Sequence, residues 1–181
     1  MTMTTQATVE NLIHGLKEKP NALRLCRKIA AAFIQKTPAP KRRTTLNLLP
    51  NEIRNAVTAA LDNRLAGKTS SQDFQKTYDK ANATAHALFR HPNPRTNEPN
   101  PAHLCDVATA ACACLYLALN DDLDTHRAAS HVMEISETLA DAMEAEAAKL
   151  QNPAGEPGGN LSYRAAREFH IATILEISAQ N

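Results

Sequence analysis

The sequence predicts an all-α domain, and three observations point to it. The chain is alanine-rich and Trp-free, with only five Gly in 181 residues, and Ala is the best helix former. No stretch sustains the apolar/polar alternation of a half-buried strand. The run Asp106–Leu119, DVATAACACLYLAL, is apolar on every side and holds little that is large before Leu115, Tyr116 and Leu117. A helix without a polar face must be enclosed by other helices, and this one is too short for a bilayer, which takes about 20 apolar residues. Residues 102–119 are therefore expected to form the buried central helix of a single-domain bundle of six or seven helices over residues 1–181, long enough for a real core.

The first helix is expected from Thr8, a fair N-cap, to near Pro20, with Val9, Leu12, Ile13 and Leu16 as its apolar stripe. Asn21 caps the second, ALRLCRKIAAAFIQK, which buries Leu23, Cys26, Ala30 and Phe33 and turns Arg24, Arg27 and Lys28 elsewhere. KTPAPKRR, residues 36–43, is a basic linker that its prolines keep from being helical. Pro50 suits the first turn of a third helix, which carries Ile53, Val57, Ala60, Leu61 and Leu65 and ends at Gly67 as its C′ residue. Ser70, with Asp73, opens a fourth, on which Phe74, Tyr78, Ala81, Ala85 and Leu88 share a face, and which stops before Pro92.

Residues 91–101, HPNPRTNEPNP, form an extended connector, and Asn100 caps the central helix that Pro101 opens. Asp121, Asp122 and Asp124 follow as an acidic first turn favoured by the helix dipole. The sixth helix continues to about Gln151, NPAGEPGGN is the most flexible loop, and a seventh helix runs from Ser162 to about Ala179.

The N-terminal MTMTTQATVEN lacks the basic start and apolar core of a secretory signal. The four Cys (26, 105, 112 and 114) accordingly read as reduced thiols of a cytosolic protein. Cys112 and Cys114, two apart on one helix, point to nearly opposite sides and cannot bridge. Charge is unevenly spread. Residues 1–80 hold 14 Lys/Arg and 6 Asp/Glu, which gives +8, whereas residues 81–181 hold 6 and 13, which gives −7. Either the two halves pack together or one of them faces a partner.

Two charged constellations stand out. On the sixth helix Glu134, Glu137, Asp141 and Glu144 recur at i, i+3, i+7 and i+10, within about 80° of one another at 100° per residue. In this they resemble the carboxylate runs of helical pyrophosphohydrolases of the MazG type, which hold Mg²⁺ over a nucleotide; the resemblance covers that helix alone. The apolar residues Val132, Ile135, Leu139, Met143 and Leu150 lie on the opposite side. A metal site should point into the bundle, where a second helix completes the ligand set, so a solvated acidic face that binds a partner is the better reading. The second constellation is basic: Arg24, Arg27, Lys28, Lys41, Arg42 and Arg43, with Arg54 beyond them, are candidates for a phosphate footprint. No aromatic interleaves the basic linker for base stacking.

Histidines give no metal motif: His126 and His131 are five apart, and HExxH and Glu-x-x-His are absent. His86, His91, His103 and Cys105 flank the connector without ligand spacing. His170, on a face with Tyr163, Ala166 and Ile174, reads as a hydrogen-bonded core histidine. G-x-S-x-G, P-loop and G-x-G-x-x-G patterns are missing as well.

The segments Leu23-Arg24-Leu25-Cys26-Arg27-Lys28-Ile29 and Asn63-Arg64-Leu65-Ala66-Gly67, with the Ala/Cys-rich helix 107–119, resemble parts of all-helical bacterial proteins, some of them grouped with the immunity proteins of toxin systems. The resemblance is compositional, covers about half of the chain and stops at residue 120. It implies a non-catalytic protein that binds a partner through a charged surface.

The expected function is therefore that of a non-catalytic cytosolic helical binding protein, immunity-like, with another protein as its partner and Glu134, Glu137, Asp141 and Glu144 as its contact residues. The alternative is nucleic-acid binding through the basic N-terminal half, and a further alternative is a metal-dependent nucleotide hydrolase. No catalytic residue, cofactor or membrane association is expected, and homo-oligomerisation is left open.

Overall fold

The structure, a computed structural model, describes residues 5–39, 44–67, 75, 76, 78–80, 82, 83, 86, 87, 102–150 and 159–180. It is all-α. The helices are α1 (Thr5–Leu16), α2 (Ala22–Lys36), a 3₁₀ turn (Thr45–Leu48), α3 (Asn51–Leu65), α4 (Ala102–Leu119), α5 (Thr125–Leu150) and α6 (Gly159–Ala179). The described residues between 75 and 87 are also helical. No helix of the described residues is long and apolar enough to cross a membrane.

The centre is a pair of helices. α4 buries Val107, Ala108, Ala110, Ala111, Cys114, Leu115, Leu117 and Ala118 and packs against α2, α3, α5 and the 3₁₀ turn. Its many small side chains let those neighbours come close, as an all-round apolar helix requires. α5 touches α1, α2, α4 and α6 and buries Ala128, Ala129, Val132, Ile135, Leu139, Ala140, Ala142 and Met143. The alanines widen its buried side well beyond the stripe of large residues.

Local physics places the ends of the helices. α2 stops where Thr37 turns its backbone N–H (3.0 Å) and its hydroxyl (2.6 Å) to the Phe33 carbonyl, just before Pro38. The 3₁₀ turn, which follows the basic linker 36–43 expected from the sequence, is tied back to that end. Thr45 donates its N–H to the Thr37 carbonyl (2.9 Å) and its hydroxyl to the Ile34 carbonyl (3.1 Å). α3 ends as expected, with Gly67 at φ 74, the left-handed geometry that glycine adopts at C′ without steric cost.

Several expectations shift. Thr8 lies inside α1, because helix-forming Gln6 and Ala7 extend the helix to Thr5. Asn21 stands at the N-cap of α2 without a side-chain cap bond; its carbonyl takes the Leu25 N–H at 3.0 Å instead. Pro50 is the N-cap of α3 rather than its first-turn residue. Leu65, the last residue of α3, is 41% exposed. Asp121, Asp122 and Asp124 precede α5, whose first turn contains no acid. Asp124 is its N-cap and accepts the Arg127 N–H at 2.8 Å. α6 begins three residues before Ser162. Ser70, Asp73, Phe74, Ala81, Ala85, Leu88, the connector 91–101 and most of the 152–160 loop lie outside the described residues. Tyr78 packs partly buried on the core.

Candidate functional site

α5 and α6 meet over a polar chain inside the apolar core. Arg167 is 0% exposed, and Ser136 and His170 are equally enclosed. Position 167 lies in the buried stripe of α6 with Ala166, His170, Thr173 and Ile174, so helix geometry alone forces this cation inward. Arg167 Nη1 donates to Ser136 Oγ at 2.9 Å. Ser136 Oγ is 2.7 Å from His170 Nδ1, and His170 Nε2 is 2.9 Å from Thr37 Oγ1.

The directions follow from the ends of the chain. Thr37 gives its proton to the Phe33 carbonyl, so its oxygen must accept from His170 Nε2–H. His170 Nδ1 is then an acceptor, and Ser136 donates to it. His170 is neutral: burial, then the Arg167 charge, pushes it down to about 3. Phe33 covers its ring, with centroids 4.1 Å apart. Arg167 Nε and Nη2 have no hydrogen-bond partner among the described residues.

Arg167 lies beneath the acidic face of α5. Burial raises the Asp141 pKa and the Arg167 charge opposes that rise. On α4, burial and then the Asp141 charge raise Asp106. Tyr163 is raised first by burial, with Arg167 acting against it and Asp141, Glu137 and Glu144 adding to it. The four predicted carboxylates therefore differ in setting. Glu134 and Asp141 are exposed, whereas Glu137 and Glu144 are half-buried.

Three of them, Glu134, Glu137 and Asp141, share one wall of a groove of about 380 Å³ between α1 and α5. Ile13, Ala129 and Met133 supply apolar surface in it, and His14 and Lys17 form the α1 side. Lys17 Nζ is held on His14 Nδ1 at 3.1 Å, and Glu134 Oε2 faces His131 Nδ1 at 3.4 Å. The acidic face is opposite the large apolar residues, as the periodicity indicates, but α1 turns it from a flat surface into a cleft. Glu144 does not line it. The volume is at the small end of the range for ligand sites, roughly 300–1,000 Å³. Among the described residues no group of three or more His, Cys, Asp or Glu is placed to hold a metal ion.

The basic residues do not form one footprint. Arg24 is exposed and Lys28 half-buried, while Lys41, Arg42 and Arg43 lie outside the described residues. Arg27 turns inward to the end of α4, giving Nε to the Leu117 carbonyl (2.8 Å) and Nη2 to the Asn120 carbonyl (2.5 Å). It also meets Asp121 at 3.3 Å, and Arg64 pairs with the same carboxylate. Here the basic and acidic halves of the chain join. Arg54 bonds to Asn51 and, at 3.5 Å, to Asn47.

None of the four cysteines forms a disulfide. Burial pushes Cys26 up to about 12 and Cys112 to about 11, and raises Cys114 as well, so none of these three is a ready nucleophile. Sequence reasoning found His170 and the acidic run but passed over Arg167. Its spacing of three from His170 and seven from Ile174 was the available signal. Comparison of the chain with protein-family models, with curated proteins and with solved structures finds no match in any of the three.

Proposed function

We propose that the chain is a non-catalytic binding protein that takes a basic, partly apolar segment of a protein partner in the α1–α5 groove. The observation behind this reading is the groove itself: three carboxylates on one wall, Met133 and Ile13 beside them, and room for side chains. A lysine or arginine lays its aliphatic stem on apolar surface and directs its charged head to carboxylates, and this groove offers both. Glu144, half-buried outside the cleft, extends the negative field along α5. Complementary charge speeds encounter more than it deepens affinity.

An immunity-like role, in which the partner is a basic toxin, fits this class and is favoured by the compositional resemblance. A reducing, cytosolic compartment belongs to the same proposal, supported by four cysteines that form no disulfide. Nucleic-acid binding ranks lower because Arg27 is turned inward. A metal-dependent hydrolase ranks lower still, since the acidic residues do not gather as a ligand set among the described residues.

The test is amide NMR mapping with two synthetic helical peptides of equal length, Leu/Arg and Leu/Glu. The Arg peptide should shift Ile13, Ala129, Met133 and Thr138, and the Glu peptide should leave them in place. Equal shifts with both, shifts confined to other helices, or slower tumbling of the chain without peptide (a second copy in the groove) would contradict the reading.

A further inference from the structure

We infer that the arginine pocket between α2, α3 and the α4–α5 turn binds a small molecule through a phosphate monoester group. A cavity of about 340 Å³ is lined by Arg24, Arg27, Arg64, Leu65, Gly67 and Asp121. It shares no residue with the acidic groove and does not depend on that reading. Three arginines and one aspartate line it, so the lining carries a formal charge of +2. Arg27 and Arg64 both turn Nη2 to the same oxygen, Asp121 Oδ1. One oxygen thus serves two forks, each built for bidentate contact. Arg27 is held down to about 10, by burial first and then by the charge of Arg64, which marks the repulsion that a further anion would relieve.

The rest of the site fits the same ligand. Arg24 makes no hydrogen bond or ion pair with any described residue, and it faces the same space. Arg27 is fixed by the Leu117 and Asn120 carbonyls, and the Arg64 side chain is only 11% exposed, so two donors are in position before a ligand arrives. Asp121, at 64% exposure, can swing aside into water. A phosphate monoester offers three oxygens and a charge of about −1.5 to −2 at neutral pH, which matches the +2 of the pocket. A phosphodiester, with one charge, matches less well. Exposed Leu65 gives the organic part of an ester a contact at the edge, and a Cβ at Gly67 would meet no atom of a described residue within 4 Å.

The experiment titrates the protein with inorganic phosphate, phenyl phosphate and a single-stranded oligonucleotide. Ionic strength is constant, and binding is followed by thermal melting and by ³¹P NMR. Inorganic phosphate and phenyl phosphate should each raise the melting temperature saturably in the millimolar range, phenyl phosphate at lower concentration. Arg64→Gln and Arg24→Gln should each weaken binding by about tenfold or more, the size of a lost charge-assisted hydrogen bond. Asp121→Asn should tighten it several-fold, because an internal competitor for Arg27 and Arg64 is gone. Should Arg64→Gln fail to fold, Arg24→Gln and Asp121→Asn still decide. Three results overturn the proposal: no saturable response to either small phosphate, binding that Asp121→Asn weakens or leaves unchanged, or retention of the oligonucleotide alone. Inorganic phosphate and phenyl phosphate binding equally would place recognition in the phosphate group alone and remove the role given to Leu65.

Discussion

Ser136 Oγ lies 2.7 Å from His170 Nδ1, across 34 residues of sequence and between two helices, and it also accepts from Arg167 at 2.9 Å. One hydroxyl therefore uses both its donor and an acceptor inside the core. Ser136→Ala leaves Arg167 Nη1 and His170 Nδ1 unpaired together, at about 1–3 kcal/mol each. Arg167→Met behaves differently, because it removes a buried cation whose Nε and Nη2 already lack described partners, and apolar replacement of buried charge is often neutral or better. Urea melts should rank Ser136→Ala as the more damaging change. The opposite order would mean that Arg167, not Ser136, holds the chain together.

The neutral His170 makes stability depend on pH with a fixed sign. Its folded pKa is about 3 against an ordinary 6.5, so between those values the unfolded chain binds a proton that the folded chain does not. Stability from this group is complete above about pH 6.5 and falls by about 1.4 kcal/mol per unit below it. Asp106 and Asp141, raised mainly by burial, act in the opposite sense and gain as the solution turns acid. His170→Gln keeps a donor and an acceptor while removing the titration. Between pH 6.5 and 5.5, the parent should lose about 1 kcal/mol more than this variant. Equal losses would show that His170 is not the titrating group.

At the far end of α4, Arg27 acts as a C-terminal cap built from another helix. Arg27→Met should cost about 1–3 kcal/mol, since the Leu117 and Asn120 carbonyls lose a charged donor. Exposed Arg24→Gln, one turn away, should stay within about 0.5 kcal/mol of the parent. A similar cost at both sites in thermal melts would remove the capping role.

Ala111 and Ala113 separate the faces of α4. Ala111 is fully buried and Ala113 half-buried. Ala111→Arg should abolish cooperative folding, because it buries a charge without a partner, whereas Ala113→Arg can lead its head out to water and should still melt cooperatively. The composition of the helix marks it as enclosed but does not tell these two positions apart, since the sequence holds no stripe to set its rotation.

That contrast shows where the sequence was legible. Periodicity located the large core residues of α1, α3 and α5, apart from exposed Leu65, but of those in α2 it named Phe33 and left out Leu25, Ile29 and Ile34. Gly67 marked the end of α3, and the face of His170 was read from its neighbours. What escaped depends on partners distant in sequence. Thr37 and His170 are 133 residues apart, and only the docking of α6 on α2 brings them together. Arg167 reads as surface by residue type and is buried by position. The acidic run of α5 is a local pattern, but its conversion into a groove depends on α1, more than 100 residues earlier. The 3₁₀ turn at 45–48 is a product of Thr45 bonding back to α2, which no local propensity encodes.

The most direct measurement of the central claim is made on Asp141→Asn, with melting temperature and affinity for the Leu/Arg peptide taken from one preparation. Burial raises the Asp141 pKa and the Arg167 charge opposes that rise, so burial disfavours the Asp141 charge that a basic ligand would stabilise. The variant should melt at or above the parent temperature and bind the peptide several-fold more weakly, with a shallower dependence on salt. A lower melting temperature with unchanged affinity would contradict the account and make Asp141 a structural counter-charge to Arg167.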